Sequence, residues 1–153
     1  MEIAARFLGT RPRTRWEVER RLRRAGATDD LVSTTLERMT TLGLVDDVAF
    51  ARWWIEQRDR HAPRGRRLVE AELRQHGVAR EVLETLRDEE ADRPPPTEEE
   101  RAMAALERHL RGRPLPDEAK ALQRVGMFLV RRGFDPETVR TALRRAGAAP
   151  DNR

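Results

Sequence analysis

The chain has no cysteine, which removes disulfide frameworks, thiolate zinc sites and cysteine nucleophiles at once. Serine is nearly missing as well. Ser33 stands alone, with no Gly-x-Ser-x-Gly around it, so the nucleophile elbow of a serine hydrolase is absent. No apolar run approaches the ~20 residues that a membrane span needs. Glu2 and Arg6 interrupt the start before a secretory apolar stretch could form. β-Branched residues are sparse, and no segment alternates apolar and polar side chains as a half-buried strand does. These absences predict a soluble, cytoplasmic, all-α protein.

Lysine is scarce too: of 31 basic residues only Lys120 is lysine. The charged fraction of 38% exceeds the ~25% of ordinary globular proteins, yet the net charge is only +4. Residues 1–50 hold 9 basic and 8 acidic groups, 51–87 hold 9 and 6, and 88–153 hold 13 of each. A protein held to DNA by counterion release alone usually carries a larger excess. Two arginine clusters stand out: Arg11, Arg13, Arg15, Arg20, Arg21, Arg23 and Arg24, then Arg58, Arg60, Arg64, Arg66 and Arg67. Either alone reads as a solvated face; the pair, at matching places in a repeat, points to an anionic partner.

The repeat shows in three aligned segments. Val18-Glu19-Arg20-Arg21-Leu22 leads to Gly26, Val69-Glu70-Ala71-Glu72-Leu73 to Gly77, and Val125-Gly126-Met127-Phe128-Leu129 to Gly133. Each glycine suits a left-handed helix cap. Each is followed by one apolar residue (Ala27, Val78, Phe134) and a new helix with apolar residues three and four apart. Those stripes are Leu31, Val32 and Leu36, then Val82, Leu83 and Leu86, then Val139, Ala142 and Leu143. Thr14-Arg15-Trp16-Glu17 and Thr97-Glu98-Glu99-Glu100 are capping boxes, and Asp46-Asp47 and Asp135-Pro136 mark further helix starts. A preceding helix near 2–9, 47–61 and 97–111 completes each unit. The expected organisation is three tandem three-helix repeats forming an elongated, curved array. The repeats span 1–43, 44–91 and 97–153 (the last with a short tail), and residues 92–96 form a Pro-rich linker.

Within 44–78 the pattern resembles the RecX family: Leu44-Val45-Asp46-Asp47, Phe50-Ala51, Trp54-Ile55, Arg58, Glu72-Leu73 and Gly77-Val78. Arg11-Pro12-Arg13 through Gly26, and Arg132-Gly133-Phe134, resemble the flanking repeats of that family. The resemblance implies tandem three-helix repeats and a regulator, mainly an inhibitor, of the recombinase RecA. Such a protein binds in the groove of the RecA–DNA filament and restrains filament extension, ATP hydrolysis and strand exchange. It also implies a role in DNA repair, homologous recombination and the SOS response, and a monomer.

No residue constellation nominates a catalyst, a metal or a cofactor. Asp46 and Asp47 precede an apolar-periodic helix and read as caps, and His61, His76 and His109 lack ligand spacing. The expected function is therefore binding, not enzymatic. Phe50, Trp54, Ala51, Ile55 and Arg58 read as one inward stripe, with the Arg58 head snorkelling out. Trp53 falls beside it, suited to packing between repeats or to anchoring a partner.

Arg64, Arg66 and Arg67 are the leading partner-binding candidates, because arginines at a helix start oppose the helix dipole and call for an anion. Arg58, Arg60, Trp53, Arg20, Arg23 and Arg24 complete the set. The alternative is a helix-turn-helix transcription regulator. Its reading helices would be acidic, with Asp29, Asp30 and Glu37 in one and Glu81, Glu84, Asp88, Glu89 and Glu90 in another, which phosphate repels. Weak, salt-sensitive DNA binding accompanies the favoured reading.

Overall fold

Local capping chemistry sets where the helices start and stop. A computed structural model describes residues 1–148, and the tail expected after the third repeat lies outside the described residues. Among these, nine helices and no strands occur. They are α1 (Glu2–Leu8), α2 (Arg15–Arg24), α3 (Asp29–Thr41), α4 (Asp47–His61), α5 (Arg66–Gln75), α6 (Arg80–Glu90), α7 (Glu98–Leu110), α8 (Ala119–Arg131) and α9 (Pro136–Ala148). Both capping boxes form, on α2 and α7. Asp135 accepts from the Glu137 and Thr138 amides at the start of α9.

The three glycine caps are copies of one motif. The amides of Ala27, Val78 and Phe134 reach back to the carbonyls of Leu22, Leu73 and Leu129, and those of Gly26, Gly77 and Gly133 to Arg23, Arg74 and Val130. This is the paired Schellman bond pattern, and it places each glycine at positive φ (84°, 80° and 90°).

The described chain divides into two units. One comprises Met1–Ile55 with Glu72–Arg93; the other comprises Glu56–Ala71 with the chain from Pro94 onward. Helices α4 and α5 of the middle repeat each contribute to both.

In the first unit Ala4, Val18, Leu22, Val32, Leu36, Met39 and Val45 form one buried cluster. Leu31, expected on the inward stripe, is instead 55% exposed. The helical period carries the core face of α3 through Val32, Thr35, Leu36 and Met39, and Leu31 precedes that arc. Phe50, Ala51 and Leu73 are also buried; full burial of a side chain the size of Phe50 or Leu73 contributes about 1.5–3 kcal/mol.

Here the start of α2 joins the glycine cap of α5. Buried Thr14 donates its hydroxyl to the His76 carbonyl at 2.6 Å. Glu17, its capping-box partner, lies 2.9 Å from His76 Nδ1. Asp46 caps α4 through the Ala49 amide, whereas Asp47 accepts from the Arg15 amide of α2. The two aspartates expected to share one helix cap therefore serve two helices.

In the second unit the same docking recurs. The start of α5 meets the glycine cap of α8: the Gly65 amide donates to the Arg132 carbonyl at 2.8 Å, and Leu68 covers Gly133. The α7–α9 core consists of Ala102, Ala105, Leu106, Val125, Leu129, Phe134, Val139 and Ala142. Arg101 is 5% exposed and is neutralised by Asp59 at 2.9 and 3.3 Å and by Glu98 at 3.4 Å.

Candidate functional site: a basic cleft

The second arginine cluster is sorted by its carboxylate neighbours. Arg66 turns inward, its side chain 18% exposed and 3.3 Å from Glu70, while its amide donates to Glu98 Oε1 at 2.9 Å. Both carboxylates belong to this chain. The anion that the helix dipole calls for at this position is thus supplied within the chain, by Glu98 at the Arg66 amide. Arg60 is exposed and paired with Glu56 at 2.6 Å. Arg67 is exposed at the first turn of α5.

Arg58 and Arg64 are both half-buried, and burial holds each guanidinium below the usual arginine range. For Arg64 the like charges of Arg58 and Arg132 push in the same direction. Arg58 therefore does not carry its head fully into water, as a snorkelling side chain would.

Pro63, the chain neighbour of Arg64, lines a cleft of about 220 Å³ in the second unit together with His61, Ala62, Ala105, Arg108, His109, Arg111, Phe128 and Arg132. No carboxylate lines it. Arg108 donates to the Arg60 and His61 carbonyls, satisfying the last turn of α4 and fixing that wall. His109 stacks on Phe128 with ring centroids 4.0 Å apart, and the Arg132 guanidinium lies over the Phe128 ring at 5.2 Å.

Arg111 closes α7 in the left-handed region at φ 53°, the sole non-glycine residue there among those described. Glycine would hold that backbone at lower cost. Three arginines around a hollow that no carboxylate lines among the described residues suit an oxyanion, either a phosphate or a carboxylate, through charge-assisted hydrogen bonds.

The remaining candidates stand in the first unit. Arg20 lies over the Trp16 ring at 4.5 Å. Arg23 is held between Glu19 and Asp29, and Arg24 is exposed. Trp53 is half-buried against Phe50 and Trp54, with centroids 5.8 and 6.2 Å apart. It lines a hollow with Leu8, Pro12 and Leu44, so it packs where the first and second repeats meet.

Arg108, Arg111 and Arg132 were not singled out by sequence. Arg132 had one usable signal: it precedes the third cap glycine, as His76 precedes the second. Nothing in spacing joins Arg108 to residues near 60.

Three family models cover most of the chain. The first, second and third three-helix domains of RecX match residues 1–39, 46–85 and 97–143. The regulatory protein RecX of Mycolicibacterium smegmatis is 37% identical over 137 residues, covering 87% of this chain and 71% of that protein. That of Prosthecochloris aestuarii is 36% identical over 139 residues, covering 90% and 86%. The crystal structure of RecX from Lactobacillus salivarius shares the fold, with a TM-score of 0.73 over 94% of this chain and 91% of that one, at 18% identity. Three-helix repeats, matched one by one along the chain, show that this protein belongs to the RecX family of regulatory proteins.

Proposed function

We propose that this chain restrains the recombinase RecA by binding in the groove of the RecA–DNA filament, limiting filament extension, ATP hydrolysis and strand exchange. Membership of the RecX family supports the reading. The observation that carries its physical part is the cleft lined by Arg108, Arg111 and Arg132 and by no carboxylate among the described residues, which suits the phosphates or carboxylates such a groove would present. Direct DNA contact through it would be weak and salt-sensitive. The transcription-regulator alternative gains nothing. Asp29, Asp30 and Glu37 on α3, and Glu81, Glu84, Asp88 and Glu89 on α6, are all exposed, where a DNA-reading helix needs donors for bases and phosphates. The protein would act as a monomer in the cytoplasm, with function divided among repeats at 1–43, 44–91 and 97–153.

The test is RecA ATPase on single-stranded DNA, titrated with this protein, with a control lacking RecA. Substoichiometric inhibition is expected. The variant Arg64→Ala/Arg111→Ala/Arg132→Ala should need roughly tenfold more protein, equivalent to about 1.4 kcal/mol. Inhibition unchanged in that folded variant would remove the cleft from the mechanism. No inhibition by the wild-type chain would overturn the functional reading itself.

A further inference from the structure

The outer face of α8 carries an apolar surface next to the basic cleft. Met127 and Val130 are 47% and 41% exposed, one helical turn apart. Beside them runs a groove of about 1090 Å³ between α8 and the 111–118 connection. Leu110, Leu115, Ala121, Val125 and Met127 contribute its apolar lining. Pro114 and Pro116 lie in the connecting wall, and their fixed φ angles stiffen it. Leu115 also lies within van der Waals reach of a Cβ added to Gly147 in α9, 3.8 Å away.

Three arginines border it: Arg113, Arg124 and Arg131, against the one carboxylate of Asp117. Elsewhere Arg6, Arg11, Arg23, Arg52, Arg60, Arg66, Arg80, Arg101 and Arg145 have carboxylates of this chain within ion-pair distance. Arg113 donates to the Leu110 carbonyl at 3.1 Å. None of the three border arginines forms an ion pair among the described residues. All three are exposed, so the rim keeps its positive charge outward around an apolar floor.

We infer that this groove docks an amphipathic helix of a partner protein, whose aliphatic side chains fill the floor and whose flanking carboxylates meet Arg113, Arg124 and Arg131. Among the described residues no strand edge is available for an extended peptide to pair with, and an apolar floor flanked by charge matches helix-in-groove recognition, in which an amphipathic helix lays its apolar face into the groove. Nucleic acid fits less well. Phosphates would meet the rim, but the aromatic lining is limited to Phe128 and His109, which stack on each other at 4.0 Å, and the rest of the floor is aliphatic, whereas base stacking uses open aromatic platforms. The inference goes beyond the filament reading and holds whether or not the recombinase supplies the helix.

A fluorescein-labelled 15-residue peptide tests it, with leucines at helical spacing and glutamates on the flanks. Controls are the same peptide with lysine flanks, a scrambled version and a 12-nucleotide oligothymidine. Anisotropy with the full chain should show saturable binding of the acidic peptide, at least tenfold tighter than either control peptide. Met127→Asp, and separately Arg124→Glu/Arg131→Glu, should each weaken it at least tenfold while circular dichroism stays unchanged. Both sites are exposed, so these variants should fold.

Absence of binding, equal binding of acidic and basic peptides, or variants that keep wild-type affinity would each overturn the inference. Loss of oligothymidine binding with peptide binding intact would overturn it in favour of nucleic acid.

Discussion

Gly26→Ala and Gly77→Ala together separate two costs that one glycine substitution usually confounds. Both glycines occupy the same Schellman position at nearly the same φ, 84° and 80°, so a left-handed alanine costs roughly 1–2 kcal/mol at either site. The stiffer unfolded chain returns about 0.4–1 kcal/mol, leaving a net loss of about 1 kcal/mol for Gly26→Ala. No heavy atom lies within 4 Å of a Cβ added to Gly26.

At Gly77 the added Cβ would overlap Trp16 Cβ and would lie 2.6 Å from Trp16 Cγ and 2.9 Å from Cδ2. The indole can swing, but its Cβ is bonded to the backbone of α2. That backbone is itself tied to the α5 cap by Thr14 and Glu17. Overpacking of this kind adds about 1–3 kcal/mol, for a total of about 2–4 kcal/mol. Urea unfolding followed by tryptophan fluorescence measures both, and melting should fall by ~2–4 °C per kcal/mol. Losses that agree within about 0.5 kcal/mol, the usual additivity error, would refute the docking of α2 on the α5 cap as the source of the difference.

Other expectations follow from single sites. Arg101→Met removes one partner of a buried ion pair and should cost about 3 kcal/mol. Adding Asp59→Asn should recover part of that loss in a double-mutant cycle. Leu31→Ala should change stability by under ~0.5 kcal/mol, whereas Leu36→Ala should cost about 2–5 kcal/mol, both read by urea denaturation. Two carboxyls in the first unit should respond oppositely to pH. Burial raises the Glu17 pKa, but hydrogen bonds from Arg11, His76 and the Thr14 backbone outweigh it and hold the group low. Its stabilisation is present above the unfolded pKa and is lost as pH falls through the folded one. Glu17→Gln should therefore destabilise more at pH 7 than at pH 3. Burial leaves Asp47 raised despite the Arg15 amide bond. Its contribution is favourable below the unfolded pKa and is lost as pH rises through the folded one. Asp47→Asn, which keeps an acceptor for that amide, should gain stability at pH 7 relative to pH 3. Unfolding curves with the same pH dependence for both variants would refute this pair of assignments.

Sequence alone determined the local chemistry. Thr14 with Glu17, Thr97 with Glu100, and Asp135 show their caps because an N-cap needs only an oxygen placed a few residues before free amides. Gly26, Gly77 and Gly133 show the repeat because a left-handed cap excludes most side chains at a fixed distance from an apolar helix face. The same periodicity placed Val18, Leu22, Leu36, Leu73 and Leu129 inside, erring at Leu31, where adjacent apolar residues leave the edge of the stripe ambiguous.

Only the tertiary structure decided which charges are spent inside the molecule. Arg66 and Arg64 are two residues apart and looked equivalent, yet the Glu70 carboxylate lies 3.3 Å from the first guanidinium, while burial and the like charges of Arg58 and Arg132 act on the second. Arg101 and Asp59, Asp47 and Arg15, and Arg108 and the end of α4 are likewise joined across long stretches of chain. Electrostatic pairing and burial depend on distance in space, and a side chain's spacing along the chain carries no record of that distance once helices pack.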